Sequence, residues 1–393
     1  MGKRTIIILL LLAAIQFTNI LEFMVLMPLG PQLKRIFDIT ANEWSGVVAA
    51  YTYAAFLSGI GSIFIIDKVG RKTFLLTAFS GLVIGTFLCA ISETYTMLLA
   101  SRVVAGLFGG TIGTVILTVV GELVPAEHRG KAMGIVMTGF SMAAALGVPL
   151  GLYFGTVYNW HVPFYGIVGF GILLLILLLS VFPRMEEHLK SPSNSLQVIK
   201  EVFRTSELRF ALLFMFTMIV GHFLIIPFIS PYMVANVGFE EKELTYIYLF
   251  GGLVSFISSP LSGWLTDKYG KLKMYSILGL ISLIPVYLIT HLSATGLVIA
   301  LTYSSLFFVF NGGRMVPGMA LVLGAVPPRI RGTYLGIRSS VQMLASGFAA
   351  TLAGVIMIDM PDGTYGNYEI VGYASIVFSV LSIIIARKIT SNY

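Results

Sequence analysis

The chain has 393 residues, of which 57% are hydrophobic and only 11% are charged. A soluble domain carries roughly 25% charged residues because its surface must be solvated. This composition therefore excludes a soluble globular protein and indicates a surface that mostly faces lipid. The formal net charge of +7 does not point to nucleic acid, since the basic residues lie in loops, where membrane topology accounts for them.

Twelve apolar segments long enough to cross a bilayer follow one another along the chain, each with about the 20 residues that a spanning helix needs. These segments, called helices 1 to 12, are predicted at 5–30, 43–66, 73–92, 96–121, 130–156, 163–183, 209–231, 243–265, 273–292, 296–324, 333–358 and 370–387. The first begins like a signal peptide, but its apolar run continues to about Leu29 without an A-x-A site, so we expect it to be retained. The predicted fold class is an all-α membrane protein.

The basic residues predict the orientation of these helices. Of the 25 Lys and Arg residues, 19 lie at the termini, in the even-numbered loops or at the span ends next to them, 3 lie in the odd-numbered loops and 3 lie in the interior of predicted spans. The positive-inside rule then places both termini in the cytoplasm. We therefore predict a multi-pass protein of the bacterial cytoplasmic (inner) membrane.

The sequence repeats itself at an interval of about 200 residues. Asp67-Lys-Val-Gly-Arg71-Lys after helix 2 recurs as Asp267-Lys-Tyr-Gly-Lys271, and Val124-Pro-Ala-Glu-His-Arg-Gly before helix 5 recurs as Val326-Pro-Pro-Arg-Ile-Arg-Gly before helix 11. An even number of spans separates the copies, so the two halves are parallel repeats with one orientation.

The repeat predicts three parts of the chain. They are an N-terminal six-helix bundle at 1–184, a cytoplasmic linker at 185–208 and a C-terminal six-helix bundle at 209–393. Within the linker, Leu196, Ile199, Val202 and Phe203 share one helical face. This pattern predicts a short amphipathic helix on the membrane surface.

Along its whole length the chain resembles the major facilitator superfamily. Asp67 to Lys72 resembles the signature loop of that superfamily, Arg102-Val-Val-Ala-Gly106 its R-x-x-x-G motif in helix 4, and Gly147-Val-Pro149-Leu-Gly151 the Gly/Pro motif associated with antiporters. The chain departs from the pattern at Ile63, where the signature loop usually has Gly, and at Val148, which splits the usual Gly-Pro pair. Within the superfamily it is most similar to twelve-span drug:proton antiporters and to sugar-efflux and arabinose-efflux-like transporters. The resemblance implies twelve helices in two pseudo-symmetric halves.

The same resemblance implies a secondary active transporter, namely a proton-coupled efflux antiporter of small organic molecules that works by alternating access. The alternative is a facilitator or a proton symporter for a polar or anionic solute. We do not expect an enzyme, since the predicted spans contain no Asp, no H-E-x-x-H and no G-x-S-x-G, and the chain has no ATP-binding G-x-x-x-x-G-K-[ST]. Protons are the expected coupling ion, with no other cofactor. The expected partners are a small-molecule substrate and the bilayer, without nucleic acid, for a monomeric chain.

Three ionisable residues within the spans are candidates for proton coupling. Glu22 is the only acidic residue in the interior of a predicted span, since Glu43 and Glu243 are the first residues of theirs. A carboxylate in hydrocarbon must face a cavity, become protonated or find a partner. Arg102 would tune Glu22 or compete with its protonation, because helices 1 and 4 line the cavity in the resembling family. His222 would titrate near neutral pH. For each residue the alternative is a structural role, and no second His or acid stands at the spacing of a metal site.

The predicted substrate cavity comprises Asn19, Arg102, His222, Asn311 and Arg314. Arg314 lies near mid-membrane in helix 10 and is a candidate contact for an anionic or polar substrate, with helix packing as the alternative. Three arginines against one glutamate within the spans favour neutral or anionic substrates over lipophilic cations.

Two further sets of residues are predicted to act in the conformational cycle. Asp67 and Arg71, with Asp267 and Lys271, are predicted to form a cytoplasmic latch that stabilises the outward-facing state. Helix 5 carries small residues at a spacing of four, which predict close helix packing and a seal between the halves. They are Gly139, Ala143, Gly147, Gly151 and Gly155, and they include the antiport-like motif of Gly147, Pro149 and Gly151.

Overall fold

The computed structural model describes residues 2–186, 189 and 195–389. Twelve helices in this part of the chain are long and apolar enough to cross a membrane. Helices 1 to 12 run over Lys3–Phe37, Ala41–Ile65, Arg71–Ala90, Tyr95–Leu123, Arg129–Val157, His161–Val181, Ser206–Val237, Glu241–Tyr269, Lys271–Thr290, Leu297–Gly324, Arg331–Ile356 and Tyr368–Ala386. The predicted fold class and the predicted order of spans are confirmed.

Several of these helices are irregular along their length. Helix 1 consists of Lys3–Val25, a 3₁₀ turn and Gly30–Phe37, and helix 7 of Ser206–Phe223, Ile226–Tyr232 and a π-helical turn. The other interruptions lie in helix 5 (Arg129–Met142, the π-helical Ala143–Gly147, Val148–Val157), helix 8 (the 3₁₀ turn Glu241–Glu243, then Leu244–Tyr269), helix 9 (Lys271–Ile281, Leu283–Thr290) and helix 10 (Leu297–Gly313, Met315–Gly324).

The predicted ends of helices 1 and 7, at residues 30 and 231, are wrong, since both helices continue for nearly two further turns. Pro28 and Pro227 lack an amide hydrogen, which interrupts the regular helix without ending the rod. Beyond Pro28 the chain becomes polar at Gln32, Lys34 and Arg35. The apolar periodicity that marks a span therefore stops before the helix does.

The two ends of the bundle differ in chemistry. The loops rich in Lys and Arg lie at the end called here the basic end. The opposite end, called the hairpin end, carries an antiparallel pair of short strands between helices 11 and 12, β1 (Ile358–Asp359) and β2 (Tyr365–Gly366). In the turn between the strands, hydrogen bonds from the hydroxyl and, to a smaller extent, the amide of Thr364 lower the pKa of Asp362.

The linker contains a helix, Ser195–Arg204, that packs on helices 7 and 11. Val202 is fully buried, whereas Phe203 is 57% exposed. The predicted apolar face is therefore divided between contacts with the protein and an exposed side. Residues 187–188, 190–194 and the side chain of Leu196 belong to the predicted linker but lie outside the described residues.

Helix 2 of the N-terminal half and helix 11 of the C-terminal half pack closely along most of their length. Serine hydroxyls of one helix face glycines of the other at both ends of this contact. A Cβ atom on Gly59 would lie 2.5 Å from Oγ of Ser340, and one on Gly354 would lie 2.0 Å from Oγ of Ser45. Small residues thus allow the two backbones to approach closely.

At the hairpin end the two halves are also joined by polar contacts. Asp359 of β1 pairs with Nζ of Lys34 at 2.7 Å and accepts a hydrogen bond from the amide of Ala41 at 2.8 Å. Arg35 pairs with Glu241 at 2.5 Å. The indole of Trp44 donates to the carbonyl of Pro227 at 3.0 Å. The bundle is therefore closed at this end.

Helix 4 packs against helices 2 and 3 and also touches helices 1, 5 and 11. In its basic-end half it keeps a half-exposed stripe formed by Gly113, Thr114, Leu117, Thr118 and Gly121. Nearer the hairpin end the same face carries the exposed side chains of Val103 and Leu107, so the uncovered face runs along most of the helix.

Candidate substrate and proton site

The N-terminal half holds a buried ion pair between helices 1 and 4. Nη1 of Arg102 donates to Oε1 of Glu22, and the side chains are 1% and 0% exposed. Oε2 of Glu22 and Nε of Arg102 have no hydrogen-bond partner among the described residues. The desolvation free energy of a buried ion pair is unfavourable and is offset only by good geometry and further hydrogen bonds. A pair joined by one hydrogen bond, with an unsatisfied atom on each partner, is therefore a poor stabilising element and a good candidate for function.

The surroundings of this pair are aromatic and tightly packed. The guanidinium of Arg102 lies 4.5 Å from the ring centroid of Tyr51. Asn19, one turn from Glu22 on helix 1, is buried and its Oδ1 has no partner in the described structure. A Cβ atom on Gly109 would lie 2.3 Å from the hydroxyl of Tyr51 and 3.0 Å from Oδ1 of Asn19. The glycine thus allows both polar groups to approach helix 4.

The C-terminal half holds a second polar cluster, formed by His222, Asn311 and Arg314. Arg314 is fully buried, and its Nη1 donates to Oγ of Ser282 at 3.3 Å. Arg314 Nε and Nη2, Asn311 Oδ1 and His222 Nδ1 have no partner among the described residues. His222 follows Glu22 by 200 residues, the same interval that separates Pro231 from Pro31. His222 therefore takes the place of Glu22 in the second repeat.

A chain of aromatic rings connects the two clusters. Tyr51 lies 5.1 Å from Phe23, and Phe23 of helix 1 stacks on Phe223 of helix 7 at 6.0 Å, across the boundary between the halves. Phe223 lies 5.9 Å from the ring of His222, which stacks on Phe307 at 5.6 Å. We call these five rings the aromatic bridge. The predicted cavity residues thus form two polar groups joined through the centre of the molecule.

The sequence did not single out the phenylalanines of this bridge. The chain contains 28 Phe residues, and aromatic side chains within spans usually serve packing. Their stacking depends on the tertiary arrangement of helices 1, 7 and 10. No local signal in the sequence reports that arrangement.

The predicted latch residues of the first repeat lie within one half. Nη2 of Arg71 pairs with Asp67 at 3.1 Å and with Glu122 at 2.7 Å, which ties helices 2, 3 and 4 together. Glu122 was not predicted as a partner of Arg71, because helix 4 was expected to end at residue 121, whereas it continues to Leu123. In the second repeat Asp267 is exposed and Lys271 is half-buried. A role of these residues as a latch stays a prediction.

The glycine face of helix 5 packs closely, as predicted, but its partner is helix 1 of the same half. A Cβ atom added at Gly139 would lie 2.2 Å from the carbonyl oxygen of Ala13. One added at Gly147 would lie 3.0 Å from the side chain of Leu21, and one added at Gly151 would lie 2.5 Å from the side chain of Val25. The predicted seal between the halves is therefore not formed by this face.

The halves meet instead on another face of helix 5. A Cβ atom on Gly252 of helix 8 would lie 2.8 Å from backbone atoms of Ala144 and Ala145. Both alanines belong to the π-helical turn that precedes Pro149. This turn places them between the glycines that face helix 1.

Two other features of the described residues do not belong to the polar site. A groove between helices 1, 5 and 6 is lined by apolar side chains, among them Leu21, Leu150, Phe154 and Phe170, and suits contact with lipid. No group of three or more His, Cys, Asp or Glu side chains in the described part of the chain is placed to hold a metal ion.

Comparison with known proteins gives a family match over nearly the whole chain. Residues 12–350 and 211–391 match the Major Facilitator Superfamily. The chain is 24% identical to the uncharacterized MFS-type transporter YceJ of Bacillus subtilis (strain 168), over 93% of this chain and 92% of that protein. It is 22% identical to the uncharacterized MFS-type transporter YhcA of the same organism, over 90% and 77%. The predicted resemblance is confirmed.

Solved structures share the fold. A bacterial homolog to the human lysosomal transporter Spinster, in its inward-facing and unoccupied conformation, matches with a TM-score of 0.79 at 14% identity, over 99% of this chain and 98% of that chain. A D-xylose-proton symporter matches with a TM-score of 0.76 at 17% identity, over 96% of both chains.

Proposed function

We propose that this chain, which belongs to the Major Facilitator Superfamily of transporters, is a proton-coupled efflux antiporter of small organic molecules. It works by alternating access. The observation that carries this proposal is the buried pair of Glu22 and Arg102. We further propose that the basic end is cytoplasmic in a bacterial inner membrane, on the distribution of Lys and Arg, and that the chain works as a monomer.

Coupling follows from the chemistry of this pair. Ionised Glu22 satisfies the charge of Arg102, whereas protonated Glu22 is neutral and releases the guanidinium. The proton therefore decides whether a free buried cation exists in the N-terminal half. In the proposed cycle Glu22 loses its proton towards the basic end when substrate binds from that side. It gains a proton from the hairpin side when substrate leaves there.

Alternating access requires the closed end to open. The ion pairs of Lys34 with Asp359 and of Arg35 with Glu241, together with the stack of Phe23 on Phe223, join the halves at and above the site. In the opposite conformation these contacts separate while the basic end closes. Helices 2 and 11 remain in contact in both states and act as the axis of the movement between the two repeats.

The test uses purified protein in proteoliposomes that contain a pH-sensitive dye. A panel of weak organic acids, cationic dyes and monosaccharides is screened for substrate-dependent proton movement and for accumulation driven by an imposed pH gradient. In Glu22→Gln the side chain mimics the protonated form, so substrate exchange without net accumulation is expected, and substrate should no longer move protons. His222→Gln is the matched control on the equivalent repeat position and should retain proton movement. Full gradient-driven accumulation by Glu22→Gln contradicts the proposal.

The unpaired Arg314 favours a second candidate, a proton symporter for a polar or anionic solute. The same assay distinguishes the two functions by direction. An antiporter moves protons out of the compartment that the substrate enters, whereas a symporter moves both into the same compartment. A facilitator moves substrate without any proton signal.

A further inference from the structure

Arg314 is a buried cation without a counter-ion in the described part of the chain. Its side chain has 0% exposure, its one hydrogen bond is the 3.3 Å contact with the neutral hydroxyl of Ser282, and no described carboxylate forms an ion pair with it. Arg102 on the corresponding helix of the N-terminal half, helix 4, is by contrast paired with Glu22. A buried charge without a partner is strongly destabilising, so the C-terminal half lacks an anion that the N-terminal half contains.

The two unused nitrogens of Arg314 define the shape of the missing group. Nε and Nη2, both without a partner, lie on the same edge of the guanidinium plane. Two parallel N–H donors on one edge match the two oxygens of a carboxylate in bidentate geometry. A single cation balances one negative charge, so a polyanion would leave excess charge buried.

Other unsatisfied groups belong to the same cluster. Asn311, one turn earlier on helix 10, keeps a free Oδ1, and His222 keeps a free Nδ1 while its ring stacks on Phe307. Because an amide oxygen only accepts hydrogen bonds, Arg314 is the group of this cluster that binds a carboxylate, and the stacked rings of His222 and Phe307 give the cluster an aromatic surface. An organic acid with an apolar or aromatic body presents the complementary chemistry.

A route for an anion leads from the basic end to Arg314. Arg338 on helix 11 donates to Sδ of Met319 at 2.8 Å, and Met319 lies five residues beyond Arg314 on helix 10. Nε of Arg338 is also buried without a partner among the described residues. A second cation thus lies between Arg314 and the basic loops and attracts negative charge towards the site.

We propose that Arg314 binds the carboxylate of the transported substrate and that the substrates are organic monocarboxylates whose apolar body contacts the aromatic bridge. This inference rests on the proposed transport of small organic molecules. It does not depend on the direction of transport or on the role of Glu22. The same guanidinium edge would also accept an inorganic anion such as chloride, so the experiment separates the two sources.

The first measurement is thermal unfolding of the purified full-length protein in detergent with matched acid and amide pairs: acetate and acetamide, octanoate and octanamide, benzoate and benzamide. At constant sodium chloride, at least one acid should raise the unfolding midpoint while its amide does not. Arg314→Gln should weaken the affinity for that acid by about tenfold or more, since it removes a charged hydrogen-bonding partner. Arg387→Gln, which removes an exposed guanidinium at the C-terminal end of helix 12, should leave the affinity unchanged.

The second measurement needs no ligand and guards against a misfolded variant. Arg314→Met removes an unpaired buried charge, so the ligand-free protein should unfold at the same temperature or higher. Arg102→Met leaves Glu22 without its partner and should lower the midpoint. A purely structural role for Arg314 predicts a lower midpoint for Arg314→Met and contradicts the proposal.

Three further outcomes overturn the proposal. They are equal stabilisation by acids and their amides, no stabilisation by any acid of the panel, and stabilisation by chloride as strong as that by the acids. Glu22→Gln separates this inference from the coupling mechanism, because it should lose proton movement in proteoliposomes yet keep stabilisation by the acid. Loss of acid binding in Arg314→Gln with proton coupling still dependent on Glu22 supports both.

Discussion

At the scale of single residues, the sequence predicted which charges are buried but not how each is satisfied. Arg102 and Arg314 carry the same signal, an arginine inside an apolar segment, yet one has a carboxylate partner and the other has none among the described residues. The partner of Arg102 lies 80 residues away in the chain. Pairing was foreseen because Glu22 was the only candidate. Tertiary packing alone decides that no described acid reaches Arg314.

The pairing of Glu22 with Arg102 predicts a characteristic result for combined mutants. Arg102→Met should lower the stability of the protein by roughly 3–5 kcal/mol, since it leaves a buried carboxylate without a partner. Adding Glu22→Gln removes that carboxylate charge, so the double mutant should recover most of the loss. Thermal unfolding of the wild type, both single mutants and the double mutant measures the coupling. Additive losses would show that the two side chains do not depend on each other.

At the scale of helices, periodicity located every span but not the breaks within them. The 3₁₀ and π-helical turns in helices 1, 5 and 7 follow from prolines and from contacts with other helices. A hydrophobic pattern is insensitive to such turns, because the side chains on either side of the turn remain apolar. The small residues were more informative, since they marked close contacts correctly even where the partner helix was not the expected one.

Two glycines of helix 4 provide a test of this packing. A Cβ atom on Gly106 would lie 2.2 Å from the backbone carbonyl oxygen of Tyr51, whereas nothing lies within 4 Å of one on Gly113. Gly106→Ala should therefore push helix 2 away, disturb the contact of Tyr51 with Arg102 and reduce transport. Gly113→Ala should have little effect on stability or raise it by up to about 1 kcal/mol, the gain in helix propensity. Midpoints of thermal unfolding and transport rates of both variants give the comparison. Equal effects at the two positions would contradict this account of helix 4.

At the scale of the whole molecule, the sequence predicted twelve spans and two parallel repeats but not the conformation. Every state of an alternating-access protein has the same hydrophobic pattern and the same loop charges, so the sequence cannot distinguish them. The closed hairpin end depends on a few long-range contacts. Lys34 and Asp359, for example, are 325 residues apart. The short strands that place Asp359 begin at Ile358, which was predicted as the last residue of helix 11, and otherwise occupy a loop that carried no prediction of structure.

The hairpin provides the last prediction, because its two aspartates make contacts with different parts of the protein. Asp359 contacts Lys34 and the amide of Ala41 in the other half, whereas Asp362 bonds only to Thr364 of its own turn among the hydrogen bonds of the described residues. Asp359 is 42% exposed, so its ion pair is partly screened and contributes about 1 kcal/mol. Asp359→Ala should therefore shift the balance between closed and open hairpin ends by roughly fivefold towards the open state.

The measurement is the distance between two spin labels by double electron–electron resonance. The labels are attached to cysteines that replace Tyr158 and Val298, two exposed positions at the hairpin end of opposite halves. The buried Cys89 is replaced by Ser so that only these positions are labelled. Asp359→Ala should add a population at longer distance, and Asp362→Ala should reproduce the wild-type distribution. If both variants leave the distances unchanged, the polar contacts of β1 do not hold the halves together. The closed state would then depend on the stacked rings of Phe23 and Phe223 and on the packing of helices 2 and 11.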